Sequence, residues 1–197
     1  MDETITLERV LPLLERGIAD SHNGFHTATL ATVALNGEPE ARTVIFRRLL
    51  RKPLALICHI DIRSPKAEEI RLHPPVAWLF YNPTEKLQLR FRTRAFLHTD
   101  DALAEEQWES SALFSRRSYC GAAPTTAVDE PSSGLPAFLE DRRPTEAETN
   151  ELGRKNFGVV RSIVRELDVY ELNAHGHRRR LFVFAETGEI ETGWLTP

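Results

Sequence analysis

Thr27-Ala28-Thr29-Leu30-Ala31-Thr32-Val33-Ala34-Leu35, then Asn36-Gly37, then Glu40 through Arg48, is the stretch on which the fold turns. The first segment is rich in threonine and β-branched residues and nearly alternates, which reads as a half-buried strand. Asn36-Gly37 is a strong two-residue hairpin signal. The return strand carries Ala41-Arg42-Thr43-Val44-Ile45-Phe46-Arg47, with a cation near each end. An antiparallel hairpin this early sets the class of the protein as mainly β.

Working outward, the same pattern recurs. Leu54–His59 is a short apolar run, Val76–Tyr81 another strand, and Leu87–His98 a long alternating one. Phe157–Leu167 and Val169–Leu172 read as two more strands. Arg178–Ala185 and Ile190–Trp194 form a closing hairpin around Thr187-Gly188. Helices punctuate the strands. Leu7, Val10, Leu11, Leu14 and Ile18 recur at helical spacing over about 6–19, although Pro12 suggests a separate first turn. Ser64 and Pro65 have the residue types of an N-cap and a first helical position, and the helix runs to Leu72 before His73-Pro74-Pro75 stops it. Asp100 and Asp101 open a helix through Trp108, and a second short one covers Ala112–Arg117. Residues 120–146, with Pro124, Pro131, Pro136 and Pro144, read as a flap or mobile loop. Short antiparallel strands with a few helices imply a β-barrel with peripheral helices, as a single domain over 1–197 with an N-terminal helix in 1–22.

Bulk properties exclude several classes. At 197 residues the chain can bury a real core. A net charge of −4 argues against a general nucleic-acid partner, which needs a basic face. No apolar run approaches the ~18 residues of a membrane helix, and the acidic start Met1-Asp2-Glu3 has no secretory pattern, so a cytoplasmic location is expected. Cys58 and Cys120 are far apart and read as free thiols.

Chemistry concentrates in cations. Lys66 falls in the first turn of the Ser64–Leu72 helix, where free N–H groups and the helix dipole favour an anion. Arg42 and Arg47 lie nearby in sequence. Five apart on a strand, they face opposite sides unless the strand bends or bulges. Gln88 alternates with Leu87 and Leu89, and its amide can both donate and accept at a ring edge. Ser115-Arg116-Arg117-Ser118 is a further anion candidate. His175-Gly176-His177 has no second pair beside it, so no metal is expected. No Ser/His/Asp or Cys/His arrangement is present, and Cys58-His59 adjacency puts those side chains on opposite faces. No catalytic residue is assigned.

In order and spacing these residues resemble the pyridoxamine 5′-phosphate oxidase-related FMN-binding split-barrel family. Arg42-Thr43-Val44-Ile45-Phe46-Arg47 resembles its Arg-x-Val-Leu-x-Lys strand. His59-Ile60-Asp61-Ile62-Arg63-Ser64-Pro65-Lys66-Ala67 is similar to its Tyr-Thr-x-x-x-Ser-Arg-Lys-Ala segment. Gln88 falls at the spacing from Lys66 of the family's flavin-contacting glutamine. Arg180 before Leu181-Phe182-Val183-Phe184, and the ending Trp194-Leu195-Thr196-Pro197, look like the family's late arginine and Arg-Leu-x-Pro close.

The resemblance implies an FMN-binding split barrel, homodimeric with FMN at the interface. Arg42, Thr43, Val44, Ile45, Phe46 and Arg47 would line the cofactor, with Arg42 and Lys66 on its phosphate. His59, Ile60 and Ser64 belong to the same implied set. Gln88 would bond the isoalloxazine edge, and Arg180 would reach in from the other subunit. Arg116, Arg117 and Ser118 are weaker candidates for binding a small-molecule substrate. The chain also departs from the family. Pro65 stands for its arginine, Arg47 for its lysine and Tyr170 for its late tryptophan. Its Gln-Ser pair falls in Thr125–Val128, and its Arg-x-His near Gly176 and Arg178, without a match. The implied activity is therefore an FMN-dependent oxidoreductase of unassigned substrate. The alternative is a non-catalytic flavin-binding carrier or sensor.

Overall fold

The structure, a computed structural model, describes residues 5–197; the first four residues of the expected 1–22 helical segment lie outside it. The hairpin is present. β1 (Thr27–Val33) pairs with β2 (Pro39–Ile45), from Thr27 opposite Ile45 to Val33 opposite Pro39. Its turn is one residue longer than the expected two. Ala34 N–H donates to Glu38 O at 2.8 Å and Gly37 N–H to Ala34 O at 2.9 Å, so Leu35-Asn36-Gly37 is the loop. Gly37, at φ +87°, takes the left-handed position that closes such three-residue hairpins. The C-terminal hairpin repeats the device. Between β8 (Arg178–Phe184) and β9 (Ile190–Leu195), Ala185 bonds Glu189 and Gly188 has φ +89°.

The strand expected from Glu40 to Arg48 breaks after Ile45. Phe46 N–H still donates to His26 O at 2.9 Å, extending the β1 pairing, but Arg47 N–H turns to Ile57 O at 2.9 Å. The chain then continues as β3 (Arg48–Arg51), paired with β4 (Leu54–Asp61). This corner carries the chain from one side of the sheet to the other. The reason is packing: Phe46 is fully buried and sits 5.3 Å from Phe80, ring centre to ring centre.

The sheet runs β2-β1-β5-β6-β7-β4-β3, with β5 (Pro75–Asn82), β6 (Leu87–His98) and β7 (Phe157–Glu171) at its centre. The two strands expected over 157–172 are one continuous β7. Asp168, the residue between the two expected strands, points outward and is bonded by arginines of both neighbouring strands. The first half of β7 pairs with β4 and its second half with β8, so the long strand carries the barrel and the hairpin that extends from it. Trp78, Phe80, Phe91, Phe25 and Phe46 fill the barrel. α1 (Leu7–Ala19) closes one end with Val10, Leu11 and Leu14. It is continuous through Pro12, because packing of that face outweighs one missing backbone bond.

α2 (Pro65–Leu72) follows β4 as expected. The cover over the outer side of β4 and β7 is α3 (Ala102–Glu109), α4 (Leu113–Arg116), a 3-10 turn at Arg117–Tyr119, α5 (Ala137–Glu140) and α6 (Glu146–Leu152). Trp108 and Tyr119 pack on Phe157 beneath it, each with rings 5.1 Å apart. Sequence reading missed α6. Its signal was there: Thr145 and Glu148 form a reciprocal capping box. The architecture is a mainly antiparallel β split barrel with peripheral helices. Among the described residues, no helix is long and apolar enough to cross a membrane.

Candidate functional site

Three cations gather where the β2–β3 corner meets the start of α2. Arg42 lies opposite Leu30, which is fully buried, so it points to the inner side of the sheet. There its Nη2 donates to Glu69 Oε2 at 2.8 Å, and its Nη1 bonds the Thr32 hydroxyl. The bend at Phe46 brings Arg47 toward β4. Arg47 and Lys66 both act on the Cys58 thiol, and Lys66 feels Arg42. The corner thus resolves the five-residue spacing of Arg42 and Arg47: the strand bends between them.

Arg42 is paired with Glu69 and lies 3.9 Å from Glu40, but Arg47 and Lys66 lack comparable partners. Burial, then the Arg42 charge, pushes the Lys66 pKa down, against the pull of Asp61 and Glu69. Arg47 Nε is buried without a hydrogen-bond partner. α2 has no side-chain cap, because the Ser64 hydroxyl donates back to Asp61 O. So Ser64 occupies the cap position without capping, and the first turn keeps its affinity for an anion. An orphaned guanidinium N–H, a desolvated ammonium and an uncapped helix start fit a phosphate monoester. Arg63 does not join them; it grips Asp61 at 2.9 and 2.6 Å and Gly121 O at 3.0 Å.

The other sequence-derived residues are divided between faces. Val44, Phe46 and Ile60 are core, while Thr43 and Ile45 are exposed on the outer face. His59 points outward from β4, its Nε2 3.1 Å from Gln107 Oε1 and its ring 4.9 Å from Phe157. Burial lowers its pKa to about 4, so it is neutral at pH 7. Cys58, on the opposite face, is pushed up to about 12 by burial and is inert as a nucleophile.

Gln88 lies on the outer face too, between buried Leu87 and Leu89. It borders a hollow of about 430 Å³ with Tyr81, Arg90, Tyr170, Leu172 and Arg179. Asp168 joins the two arginines there, accepting from Arg179 Nη2 at 2.9 Å and from Arg90. Burial alone would raise the Asp168 pKa, but these arginines hold it below the usual carboxylate range. Arg180 is on the opposite face of β8, in register with buried Val169. It donates to Ile5 O at 2.5 Å and the Thr192 hydroxyl at 3.0 Å, between the rings of Phe182 and Trp194. The hairpin arginine that shares Gln88's face is Arg179. Its place there follows from its register with Tyr170 across the hairpin.

Arg116 and Arg117 bind backbone instead of lining a hollow. Arg116, 5% exposed, donates to Glu109 O at 2.7 Å and Ser111 O at 3.0 Å. Arg117 donates to Leu139 O at 3.1 Å and Glu140 O at 3.2 Å, and Ser118 is exposed beside it. The bonds of Arg117, with that of Arg63 to Gly121, tie down the two ends of the 120–146 segment.

Comparison with known proteins gives this geometry a context. Residues 8–99 match the model of the pyridoxamine 5′-phosphate oxidase, FMN-binding domain. A pyridoxine/pyridoxamine 5′-phosphate oxidase of Alcanivorax borkumensis is 30% identical over 134 residues, 68% of this chain and 52% of its own length. The Arabidopsis thaliana pyridoxine/pyridoxamine 5′-phosphate oxidase 2 is 28% identical over 61% of this chain and 63% of its own length. The chain thus spans between half and two thirds of these relatives. Among solved structures, a pyridoxamine 5′-phosphate oxidase-related, FMN binding protein of Nostoc punctiforme superposes with a TM-score of 0.74 at 21% identity, covering 98% of this chain and 99% of that one. PhzG of Burkholderia lata, in complex with tetrahydrophenazine-1-carboxylic acid, gives 0.73 at 17% identity over 99% and 98%. By sequence over residues 8–99, and by fold over nearly its whole length, the chain is related to the pyridoxamine 5′-phosphate oxidase family of FMN-binding split barrels.

Proposed function

We propose that this protein binds FMN between two copies of itself and works as an FMN-dependent oxidoreductase. The observation that carries the reading is the gathering of Arg42, Arg47 and Lys66, with the orphaned Arg47 Nε and the desolvated Lys66 short of negative charge. A flavin phosphate supplies the missing charge there. Bound FMN would supply the hydride-accepting ring, and the chain's part is binding and electrostatics.

The second copy follows from the faces of the sheet. Gln88 and Arg42 lie on opposite sides of it, so one FMN cannot reach both within a protomer. A symmetric pair removes the conflict: the cations of one copy hold the phosphate while Gln88 and Arg179 of the other meet the ring. The outer face is suited to burial, since Ile45, Leu79 and Tyr81 are exposed on it.

One observation favours the carrier or sensor alternative over pyridoxine phosphate oxidation. The arginines that are the weaker candidates for binding a substrate, Arg116 and Arg117, are occupied by backbone carbonyls. The reading is tested by an absorbance spectrum of the purified protein, mass identification of the released cofactor, and sedimentation. Flavin bands, released FMN and a dimer are expected. A colourless monomer that ignores added FMN sinks the reading. Anaerobic bleaching by a candidate reductant separates oxidoreductase from carrier.

A further inference from the structure

The phosphate-binding reading leaves one residue unexplained: a carboxylate inside the cation group. Glu69 is 4% exposed, one turn after Lys66 on the same side of α2. A buried carboxylate next to an anion site ordinarily weakens that site. We propose that Glu69 is a surrogate anion, holding Arg42 in the empty protein and releasing it when a phosphate monoester arrives, so that flavin loading is exchangeable. This inference rests on the FMN reading above.

Three features support it. Glu69 Oε2 accepts from Arg42 Nη2 at 2.8 Å and from the Thr32 hydroxyl at 2.6 Å, so a single oxygen receives both donors. Thr32 is 4% exposed, and its hydroxyl stays with Glu69 when Arg42 leaves. Second, Arg42 is partly open, with 23% of its side chain exposed, so it can turn toward a ligand that Glu69 cannot follow. Third, the other two cations have no equivalent carboxylate bond: Arg47 Nε is unpartnered, and Lys66 is under-neutralised by burial and by Arg42. The protein therefore keeps two cations ready and masks the third.

The energetic consequence has a definite sign. Phosphate binding must break a largely buried ion pair and leave the Glu69 carboxylate with Thr32 alone, which opposes binding. It also sets a carboxylate within a few ångströms of a dianion. Removing the charge while keeping the shape should strengthen binding.

The test is a titration of FMN and of riboflavin, which lacks the phosphate, into wild-type protein freed of flavin and into Glu69→Gln. Glu69→Gln is expected to bind FMN about tenfold more tightly than wild type, with riboflavin unchanged. Equal or weaker FMN binding by Glu69→Gln overturns the proposal and makes Glu69 a support for Arg42. If wild type fails to prefer FMN over riboflavin, the phosphate reading itself falls, and this inference with it. A second measurement does not depend on the variant. A crystal structure of the wild-type protein with FMN should show Arg42 on the phosphate and out of hydrogen-bond reach of Glu69; Arg42 still on Glu69 overturns the proposal.

Discussion

The cations around the start of α2 and the arginines after α3 come from similar sequence: short basic runs beside helix ends. Their surroundings differ. Arg116 and Arg117 have their donors on carbonyl oxygens, and the cover segment hangs from them. Arg47 has a buried N–H without a partner, and Lys66 is desolvated beside Arg42. What separates a structural cation from a ligand-seeking one is the partner, and the partner is not written in the run itself.

The largest effect expected from this contrast is on the structural side. Arg116→Ala removes a guanidinium that is 5% exposed and leaves the Glu109 and Ser111 carbonyls unpaired beside Trp108. A loss of about 3 kcal/mol of stability follows. Urea unfolding checks it, and FMN affinity per folded molecule should stay at the wild-type value. A variant with full stability and weakened FMN binding would reverse the assignment.

His59 stands at the seam, bonded to Gln107 of the cover and influenced by Arg47 of the cation group. Its pKa falls from 6.5 in the unfolded chain to about 4 in the fold. Between those values the unfolded chain binds the proton and the fold does not. This contribution is therefore complete above pH 6.5 and is lost as pH falls toward 4, at roughly 1.4 kcal/mol per pH unit, about 3 kcal/mol in all. His59→Gln should flatten that part of the stability profile. Parallel profiles for the two proteins between pH 7 and 4.5 would show that His59 is not held neutral.

On the ligand side, Lys66→Ala should weaken FMN binding by about 2 kcal/mol, the worth of one charge-assisted bond. In the absence of FMN it should leave stability unchanged or raise it, because burial and Arg42 already disfavour the ammonium. That pairing of outcomes is opposite to Arg116→Ala. Isothermal titration and thermal unfolding on the same sample read both. Unchanged FMN affinity would remove Lys66 from the site.

Much of this was legible in the chain before its fold. Period-two alternation over Leu87–His98 and the Ser64-Pro65 helix start were visible because local pattern decides them. The hairpin was visible too, although its turn length was not, since Gly37 suits two- and three-residue loops alike. The corner at Phe46 was not legible: it is set by an aromatic cluster drawn from distant strands. The faces of the C-terminal hairpin were not legible, because Arg179 and Arg180 are adjacent and strand alternation turns them to opposite sides of the sheet. Glu69 gave no sign, because its role depends on Arg42 and Thr32 arriving from β2 and β1.

The smallest effect sharpens the comparison within the structural set. Arg117 is less buried than Arg116 and spreads its Nη1 over Leu139, Glu140 and Arg142 carbonyls at 3.1, 3.2 and 3.5 Å, while its guanidinium lies 4.3 Å over Phe114. The Glu140 and Arg142 carbonyls lie at the surface, where water can replace the guanidinium, so Arg117→Ala should cost about 1 kcal/mol globally. Its local effect should be larger. The 120–146 segment has little regular structure of its own and is tied at one end by Arg63 on Gly121 and at the other by Arg117. With one tie cut, amide exchange should accelerate around α5 and stay at the wild-type rate at Gly121 and Ala122. Uniform acceleration along the whole segment would mean that it opens as one unit and that Arg117 is not an independent anchor.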